Sequence, residues 1–367
     1  MTFLSFRIVP NLNAGTPGIV VLTAAGFRRA RAEITSWPDY EATPLHGLAT
    51  IAATAGVGCL RLKDESGRFG LGSFKPLGAA YAVRVRLAGL SACDVTLTCA
   101  TDGNHGRAVA WAARRFGCAA VIFVHAGVSQ ARADAIAAYG ATIRRVPGNY
   151  DDAVRQTNTT AAAEGWLTIS DTSWPGYTEI PRDIMQGYRL MADEALGQWQ
   201  GAPPTHVFVQ GGVGGMAAAV SVQLRAAGLS PAKLIVVEPE RAACLLASAE
   251  QGAPATVAGD LDTIMAGLAC GEPSLLAWQE LSRAAAAFMA IPDKAARDSM
   301  RLLFRHGIVI GESGVAGLAG FLLAASNPVS REMLGLDGDS RILVFGTEGA
   351  TDPALFAAIV EEGSIVV

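Results

Sequence analysis

Short runs of β-branched and apolar residues alternate along the chain with longer stretches whose apolar positions recur every three or four residues. The first thirty residues break this rhythm, and for them we predict short β segments. The predicted strands are residues 58–63, 94–98, 120–125, 142–146, 206–210, 234–237 and 342–345. The predicted helices are residues 45–55, 75–89, 104–116, 130–139, 151–164, 179–199, 214–227, 242–251, 292–306, 314–325 and 353–362. Such alternation is typical of βαβ units with a parallel sheet.

The length of 367 residues suggests about two domains, so we predict an α/β protein with two doubly wound domains. In such folds ligands bind in the cleft outside the carboxyl ends of the strands. The long loop at residues 252–271 is predicted to be functional, because structureless loops of that length are uncommon in compact domains.

Composition excludes several classes of partner. Charged residues make up 17% of the chain, the net charge is −4 and no basic patch is present, which argues against nucleic acid. Residues 205–224 carry no charge, but Gln210 and four glycines interrupt them, so a strand–turn–helix is predicted rather than a membrane span. The six cysteines form no C-x-x-C pair, which favours a reducing compartment and a cytoplasmic location. The five histidines show no ligand spacing, so no metal site is predicted.

Lysine is rare in this chain, and one lysine stands out. The 29 basic residues include four lysines, at positions 63, 75, 233 and 294. Lys75 follows a glycine-rich turn and begins a predicted helix, with Pro76 as its first full residue. Lys can form a Schiff base and Arg cannot. We predict that partial desolvation lowers the pKa of this amine; the alternative is a solvated lysine at a helix start.

Two loops follow predicted strands and begin helices. In Thr101-Asp102-Gly103-Asn104-His105-Gly106, Asn104 can donate to an oxygen and Asp102 can take or give a proton. An ordinary capped helix entry is the alternative there. Bare backbone N–H groups in Gln210-Gly211-Gly212-Val213-Gly214-Gly215-Met216 can cradle a phosphate.

The glycine-rich loop has two other interpretations. Gly212, Gly214 and Ala217 fit G-x-G-x-x-A, and Glu238 ends the next strand, as in a Rossmann dinucleotide site. The loop could instead serve only close packing between helix and strand.

Two further loops carry polar residues. Asp171, in the turn-rich stretch 169–181, could hold a substrate ammonium group, or the stretch could be a capped linker into the helix at 179. Thr347, in the stretch 346–353, could face a ring nitrogen or a phosphate. The same stretch could be a turn with Asp352 as N-cap before Pro353.

An amine, an oxygen donor, a phosphate cradle and a ring-nitrogen partner are together what a pyridoxal phosphate enzyme needs. The chain resembles the tryptophan-synthase-β-like (fold type II) pyridoxal phosphate enzymes and, within them, the diaminopropionate ammonia-lyase family. The stretches that carry the resemblance are residues 63–66, 68–71, 74–75, 101–106, 149–154, 171–181, 185–188, 263–273 and 347–349. Gly72 and Pro76, which flank Ser73-Phe74-Lys75, depart from the expected pattern.

The resemblance implies roles for individual residues. Lys75 would hold pyridoxal 5'-phosphate as a Schiff base, and Asn104 would contact the pyridine hydroxyl oxygen. The phosphate would lie on the backbone of residues 211–215, and Thr347 would face the ring nitrogen. Asp102 would be a second acid/base that admits the D-isomer. Asp171 would help to bind the substrate amino group, and Asp102 and Thr101 would also contact the substrate.

The implied architecture is a large cofactor-binding domain of residues 1–90 and 179–367 and a small mobile domain of residues 91–178, with the cofactor in the cleft between them. The implied reaction is α,β-elimination of 2,3-diaminopropionate, L and possibly D, to pyruvate and ammonia by a homodimer. The alternatives are a serine/threonine-type dehydratase or β-replacement enzyme on the same fold, an NAD-dependent dehydrogenase, and a non-catalytic binding protein.

Overall fold

A computed structural model describes residues 4–101, 103–229 and 232–362. Its strands are β1 Arg7–Pro10, β2 Leu45–Gly47, β3 Cys59–Asp64, β4 Thr96–Thr101, β5 Ala119–His125, β6 Thr142–Val146, β7 Leu167–Thr168, β8 His206–Gln210, β9 Lys233–Pro239, β10 Ala287–Ile291 and β11 Arg341–Gly346. Its helices are α1 Ala24–Thr35, α2 Ala49–Ala55, α3 Lys75–Arg86, α4 Asn104–Phe116, α5 Gln130–Ala137, α6 Tyr150–Glu164, α7 Glu179–Gln198, α8 Gly215–Ala226, α9 Cys244–Gln251, α10 Leu275–Ala284, α11 Asp293–Arg305, α12 Ala316–Ser326, α13 Pro328–Leu334 and α14 Pro353–Glu361.

The strands form two sheets, which confirms the predicted α/β class. Seven strands are ordered β1-β10-β9-β8-β11-β3-β2, and four are ordered β6-β5-β4-β7. The four-stranded sheet is parallel throughout, and only the edge strands β1 and β2 of the larger sheet pair antiparallel. None of the described helices is long and apolar enough to cross a membrane.

The central strand β8 is apolar on both of its faces, because each face is covered by other parts of the protein. Val207 and Val209 pack into one hydrophobic cluster, whereas Phe208 packs into a second cluster on the opposite face. All five residues of β8 are buried. A strand covered on both faces by helices is expected to read as a continuous hydrophobic run, as this one does.

The predicted pattern differs from the structure in several regions. Residues 4–30 include strand β1 and most of helix α1, whose buried residues Phe27, Ala30 and Ile34 lie on one face. Residues 45–55 are split between strand β2 and helix α2 rather than forming one helix. Helices α10 and α13 and strands β7 and β10 were not predicted.

Helices α3 and α7 pack closely because glycines face each other at their contact. A Cβ on Gly78 would lie 2.5 Å from a ring atom of Tyr188, and one on Gly187 would lie 2.1 Å from the carbonyl oxygen of Leu77. No side chain larger than hydrogen fits at either position. This contact holds the first turn of α3, and with it Lys75, against α7.

A buried ionic cluster ties the segment before α3 to the same helix. Arg68 donates two hydrogen bonds of 2.8 Å to the carboxylate of Glu65 and one of 2.7 Å to Glu194 of α7. Lys63 lies 2.7 Å from the same carboxylate of Glu194, and burial lowers the pKa of Lys63. All four side chains are at most 5% exposed. Buried charges of this kind are stable only as a matched set.

We expect the substitution Glu194→Gln to destabilise the protein by about 3 kcal/mol, because it leaves two buried cations facing a single carboxylate. The measurement is urea unfolding of the apo protein. Glu164→Gln, on the exposed end of α6, is the matched control and should change the unfolding midpoint little. An unchanged midpoint for Glu194→Gln would contradict the role of the cluster.

Candidate active site

One cavity lies where loops from both sheets meet at the carboxyl ends of their strands. Strand β4 leads into it from the smaller sheet, and β8 and β11 lead into it from the larger one. The predicted site residues that line it are Lys75, Thr101, Asn104, Asp171, Gly212, Val213, Gly214, Gly215 and Thr347. Residues that the sequence analysis gave no role, and that also line it, include His105, Arg132, Tyr150, Tyr188, Gln210, Ser313 and Glu348.

An ion pair stands at the centre of this cavity. The Nζ atom of Lys75 donates to Oδ2 of Asp171 at 2.5 Å. The Lys75 ammonium also lies 5.3 Å from the ring centre of Phe74 and 5.9 Å from that of Tyr188. A cation over aromatic faces gains further electrostatic stabilisation.

The ion pair sets the protonation of both partners. Burial pushes the pKa of Lys75 down, but the Asp171 carboxylate outweighs it, so the pKa is raised above its usual value. Burial would raise the pKa of Asp171, but Lys75 and then His105 hold it well below its usual range. At neutral pH the pair is therefore ammonium and carboxylate. The prediction that desolvation lowers the pKa of Lys75 is wrong, because it took no account of the carboxylate.

His105 and Tyr188 surround this pair. The Nε2–H of His105 donates to the carbonyl of Ile169 at 2.7 Å, and its buried Nδ1 lies 3.7 Å from Oδ2 of Asp171. Burial lowers the pKa of His105. The hydroxyl of Tyr188 is buried as well, and burial raises its pKa. The sequence analysis assigned His105 and Tyr188 no role, but both lie in stretches that carry the family resemblance, and that resemblance was the one sequence signal that could have pointed to them.

The glycine-rich loop ends in an uncapped helix N-terminus. Gly214 adopts φ +93°, which favours glycine, and no side chain caps the first turn of α8. Space beside the loop is small, since a Cβ on Gly212 would lie 3.2 Å from Cα of Leu268. Gly211 differs from its neighbours: it does not line the cavity, and its N–H donates to the carbonyl of Val237 at 2.8 Å.

Thr347 lies beside the lysine segment because two distant stretches of chain pair there. The N–H of Phe74 donates to the carbonyl of Thr347, and the N–H of Gly349 donates to that of Gly72. The Thr347 hydroxyl accepts from Nε2 of Gln210 at 3.0 Å. Asp352 caps α14 through the N–H of Leu355, as the turn interpretation of that stretch predicted.

The loop after β4 is organised by Thr101. Its hydroxyl accepts the N–H groups of Gly103 and Gly106, both at 2.9 Å. Asn104 then begins α4, as predicted. Asp102 lies outside the described residues.

The dinucleotide interpretation fails at Glu238. This side chain is fully buried, and its two carboxylate oxygens accept the N–H groups of Leu245 and Leu246 at 2.8 Å. Burial raises the pKa of Glu238 to about 8. A carboxylate engaged in capping α9 cannot serve as a ribose ligand.

The residues fit pyridoxal phosphate. They provide an amine on Lys75, backbone N–H groups at the start of α8 that no described side chain caps, and the side chains of Thr347 and Asn104, all lining one cavity. Over residues 37–345 the sequence matches the family described as "Pyridoxal-phosphate dependent enzyme". The chain belongs to the pyridoxal-phosphate dependent enzymes.

Relatives place it more narrowly within this family. Diaminopropionate ammonia-lyase of Escherichia coli is 42% identical over 352 residues, covering 88% of each chain. The enzyme of the same name from Salmonella typhimurium is 39% identical over 364 residues, covering 89% of each. A crystal structure of the Escherichia coli enzyme with an aminoacrylate-PLP azomethine reaction intermediate has a TM-score of 0.92 at 39% identity and covers 98% of both chains.

These similarities confirm the resemblance to the diaminopropionate ammonia-lyases of fold type II. This member of the pyridoxal-phosphate dependent enzymes is thus a lyase with pyridoxal 5'-phosphate as its cofactor. Among the described residues, no group of three or more His, Cys, Asp and Glu side chains could hold a metal ion.

We expect Asp171→Asn to lower the pKa of Lys75, because burial then acts without the carboxylate that outweighs it. The free-amine fraction of Lys75 at neutral pH should rise by about tenfold for each pKa unit lost. The measurement is the rate at which an amine-reactive reagent labels the Lys75 peptide of the apo protein, followed by mass spectrometry across neutral and alkaline pH. Asp298→Asn, on the surface of α11, is the control; identical pH profiles for Asp171→Asn and wild type would contradict the role of Asp171.

Proposed function

We propose that this chain catalyses α,β-elimination of 2,3-diaminopropionate, in its L form and also its D form; with one water the products are pyruvate and two molecules of ammonia. The observation that carries the proposal is the Lys75–Asp171 ion pair in a cavity that also holds an uncapped helix N-terminus. The names of the ammonia-lyase relatives support the choice of substrate.

Lys75 and Asp102 are proposed to move the Cα proton. When bound, pyridoxal phosphate supplies an electron sink that stabilises negative charge at the Cα of the substrate. Lys75 would hold the cofactor covalently and, once released from it, would be a base at its Nζ atom on one face. Asp102 would be the base on the other face, so that each residue takes the proton of one enantiomer. Its neighbours Thr101 and Gly103 line the cavity, which supports this placement.

Asp171 is proposed to bind an amino group of the substrate, with Thr101 beside it. Its Oδ2 atom already holds an ammonium at 2.5 Å, so the same carboxylate suits a substrate ammonium. A β-amino group leaves well only when it is protonated, and Asp102 or the Lys75 ammonium would supply that proton. Two carboxylates near the reacting atoms favour a diamino substrate over a hydroxy one.

The cofactor would be held at three further places. Backbone N–H groups of residues 212–215 would bind the phosphate, since a helix N-terminus favours an anion; Gly211 would support them through its strand-like hydrogen bond. Thr347 would face the ring nitrogen, and because its oxygen accepts from Gln210, its own hydrogen is available to donate. Asn104 would donate to the ring hydroxyl oxygen.

The larger organisation is also a proposal. We propose a large cofactor-binding domain of residues 1–90 and 179–367, a small mobile domain of residues 91–178, and a homodimer that works in the cytoplasm. Every strand of the four-stranded sheet lies within residues 91–178, which supports this division. Light scattering on the purified holoenzyme tests the dimer.

The decisive experiment is a substrate panel with detection of pyruvate and ammonia. We expect turnover of both enantiomers of 2,3-diaminopropionate by wild type. Lys75→Ala should lose both this turnover and the covalent cofactor found by mass spectrometry after borohydride reduction, because Lys75 is the one lysine among the described residues that line the cavity. Lys294→Ala, an exposed lysine, is the control.

The rival functions correspond to other outcomes of this panel. Faster turnover of serine or threonine would instead indicate a dehydratase, and product formation only with an added nucleophile a β-replacement enzyme. A bound cofactor without any product would indicate a binding protein.

Asp102→Asn should abolish turnover of D-2,3-diaminopropionate and spare more of the L activity, because only the D-isomer needs the second base. The measurement is kcat/KM of wild type and of the variant for each of the two enantiomers. A loss of about 2 to 4 powers of ten is typical when a general base is removed. Equal losses for both enantiomers would reject the assigned role.

A further inference from the structure

The side-chain amide of Asn104 is held between two charged residues of opposite sign. Its Oδ1 accepts from Nη2 of Arg107 at 2.9 Å, one turn further along α4. Its Nδ2 donates to Oε2 of Glu348 in the loop after β11. One of the two Nδ2 hydrogens therefore remains for another acceptor in the cavity.

The charges of these neighbours determine which way the amide faces. A guanidinium can only donate hydrogen bonds and a carboxylate can only accept them. Turned over, the amide would point its N–H groups at Arg107 and its oxygen at Glu348, and both contacts would be repulsive. Arg107 and Glu348 together therefore select one of the two orientations of the Asn104 amide, which are nearly equal in shape.

Glu348 is itself fixed in place. Its other oxygen accepts the N–H of Ser313 at 2.9 Å, and the residue is only 3% exposed. Its backbone pairs with Ser73, in the segment that leads into Lys75. The carboxylate thus has a defined position relative to the lysine that holds the cofactor.

Gly72 explains how the guanidinium of Arg107 fits beside this segment. A Cβ on Gly72 would lie 3.3 Å from Nη2 of Arg107, and the backbone there has φ +70°, a value that favours glycine. Gly72 is one of the two residues that depart from the family pattern at Ser73-Phe74-Lys75. The departure leaves room for Arg107 at its contact with Asn104.

We propose that Arg107 and Glu348 are positioning residues that fix the Asn104 amide with an N–H directed at the cofactor. The proposal rests on the proposed function, in which Asn104 donates to the ring hydroxyl oxygen. Neither residue touches the reacting atoms; each acts through Asn104. Because Arg107 lies on α4 and Glu348 follows β11, this orientation requires loops of the two sheets to stay together.

Glu348→Gln tests the acceptor side. A glutamine offers one oxygen where two N–H donors, from Asn104 and Ser313, need acceptors, so its own NH₂ group faces a donor. Turning over the Asn104 amide relieves that conflict but points its oxygen at the cofactor. Titrating apo protein with pyridoxal phosphate should give a dissociation constant raised about tenfold, as for a mispaired buried polar group. The visible absorbance band of the bound cofactor should shift as well.

Arg107→Met removes the hydrogen bond that Arg107 donates to Asn104. It is compared with the conservative substitution Arg107→Lys and with a matched control. It should shift the absorbance band in the same direction as Glu348→Gln, whereas Arg107→Lys should stay within about twofold of wild type in cofactor affinity, since a lysine still donates. Arg114→Met, exposed on the same helix, is the control. The double variant should bind only about twofold more weakly than Glu348→Gln alone, because both changes act on one amide.

The sign of the shifts separates orientation from charge alone. The two substitutions remove opposite charges, so a direct electrostatic effect on the cofactor would shift the band in opposite directions and would overturn the proposal. Wild-type affinity and absorbance in both variants would also overturn it. A wild-type protein without cofactor on Lys75 would instead reject the proposed function. If Glu348→Gln fails to fold, the test rests on Arg107. The proposal is then overturned if Arg107→Met matches wild type, or if Arg107→Lys does not restore the wild-type cofactor affinity.

Discussion

The ion pair between Lys75 and Asp171 is the interaction on which the rest of the site depends. It joins residues 96 positions apart in the sequence, one at the start of α3 and one in the loop before α7. Burial alone would neutralise both groups, and each is kept charged by the other. An ammonium and a carboxylate can therefore share this buried site.

The fold keeps this pair at hydrogen-bond distance by close backbone contact. Gly78 and Gly187 let the backbones of α3 and α7 approach closely, so the first turn of α3 is held against α7. The buried charges of Arg68 and Glu194 fix the preceding segment to the same helix. Well-packed interiors transmit small displacements, and a pair that must meet at 2.5 Å needs such a rigid support.

Much of the fold could be predicted because local pattern and tertiary structure agree. Helix α4 begins at Asn104 and ends at Phe116 as predicted, since glycines mark both of its ends. The pattern failed at α10 and β10, residues 275–291, where apolar residues run from a helix into a strand without a turn residue to separate them. It also failed at α1, whose apolar positions are spaced too widely among arginines to stand out.

The active-site loops could be predicted from residue type, but the balance of charge could not. A rare lysine, an asparagine at a helix start and a glycine-rich turn are visible in the sequence. The contacts of Lys75 with Asp171 and of Asn104 with Glu348 join residues far apart in the chain, and only the folded structure brings them within reach.

An ion pair also joins the two sides of the cavity, which come from the smaller and the larger sheet. The segment that forms the smaller sheet contributes the guanidinium of Arg132, and the larger half contributes the buried carboxylate of Glu312, 2.7 Å away. Burial, and then the neighbouring charge of Glu348, raise the pKa of Glu312 to about 7. The Arg132 guanidinium partly offsets this effect by stabilising the charged form of Glu312. Arg132–Glu312 and Asn104–Glu348 both join the segment that contains the smaller sheet to loops of the larger sheet, so the same contacts that line the cavity also connect its two sides.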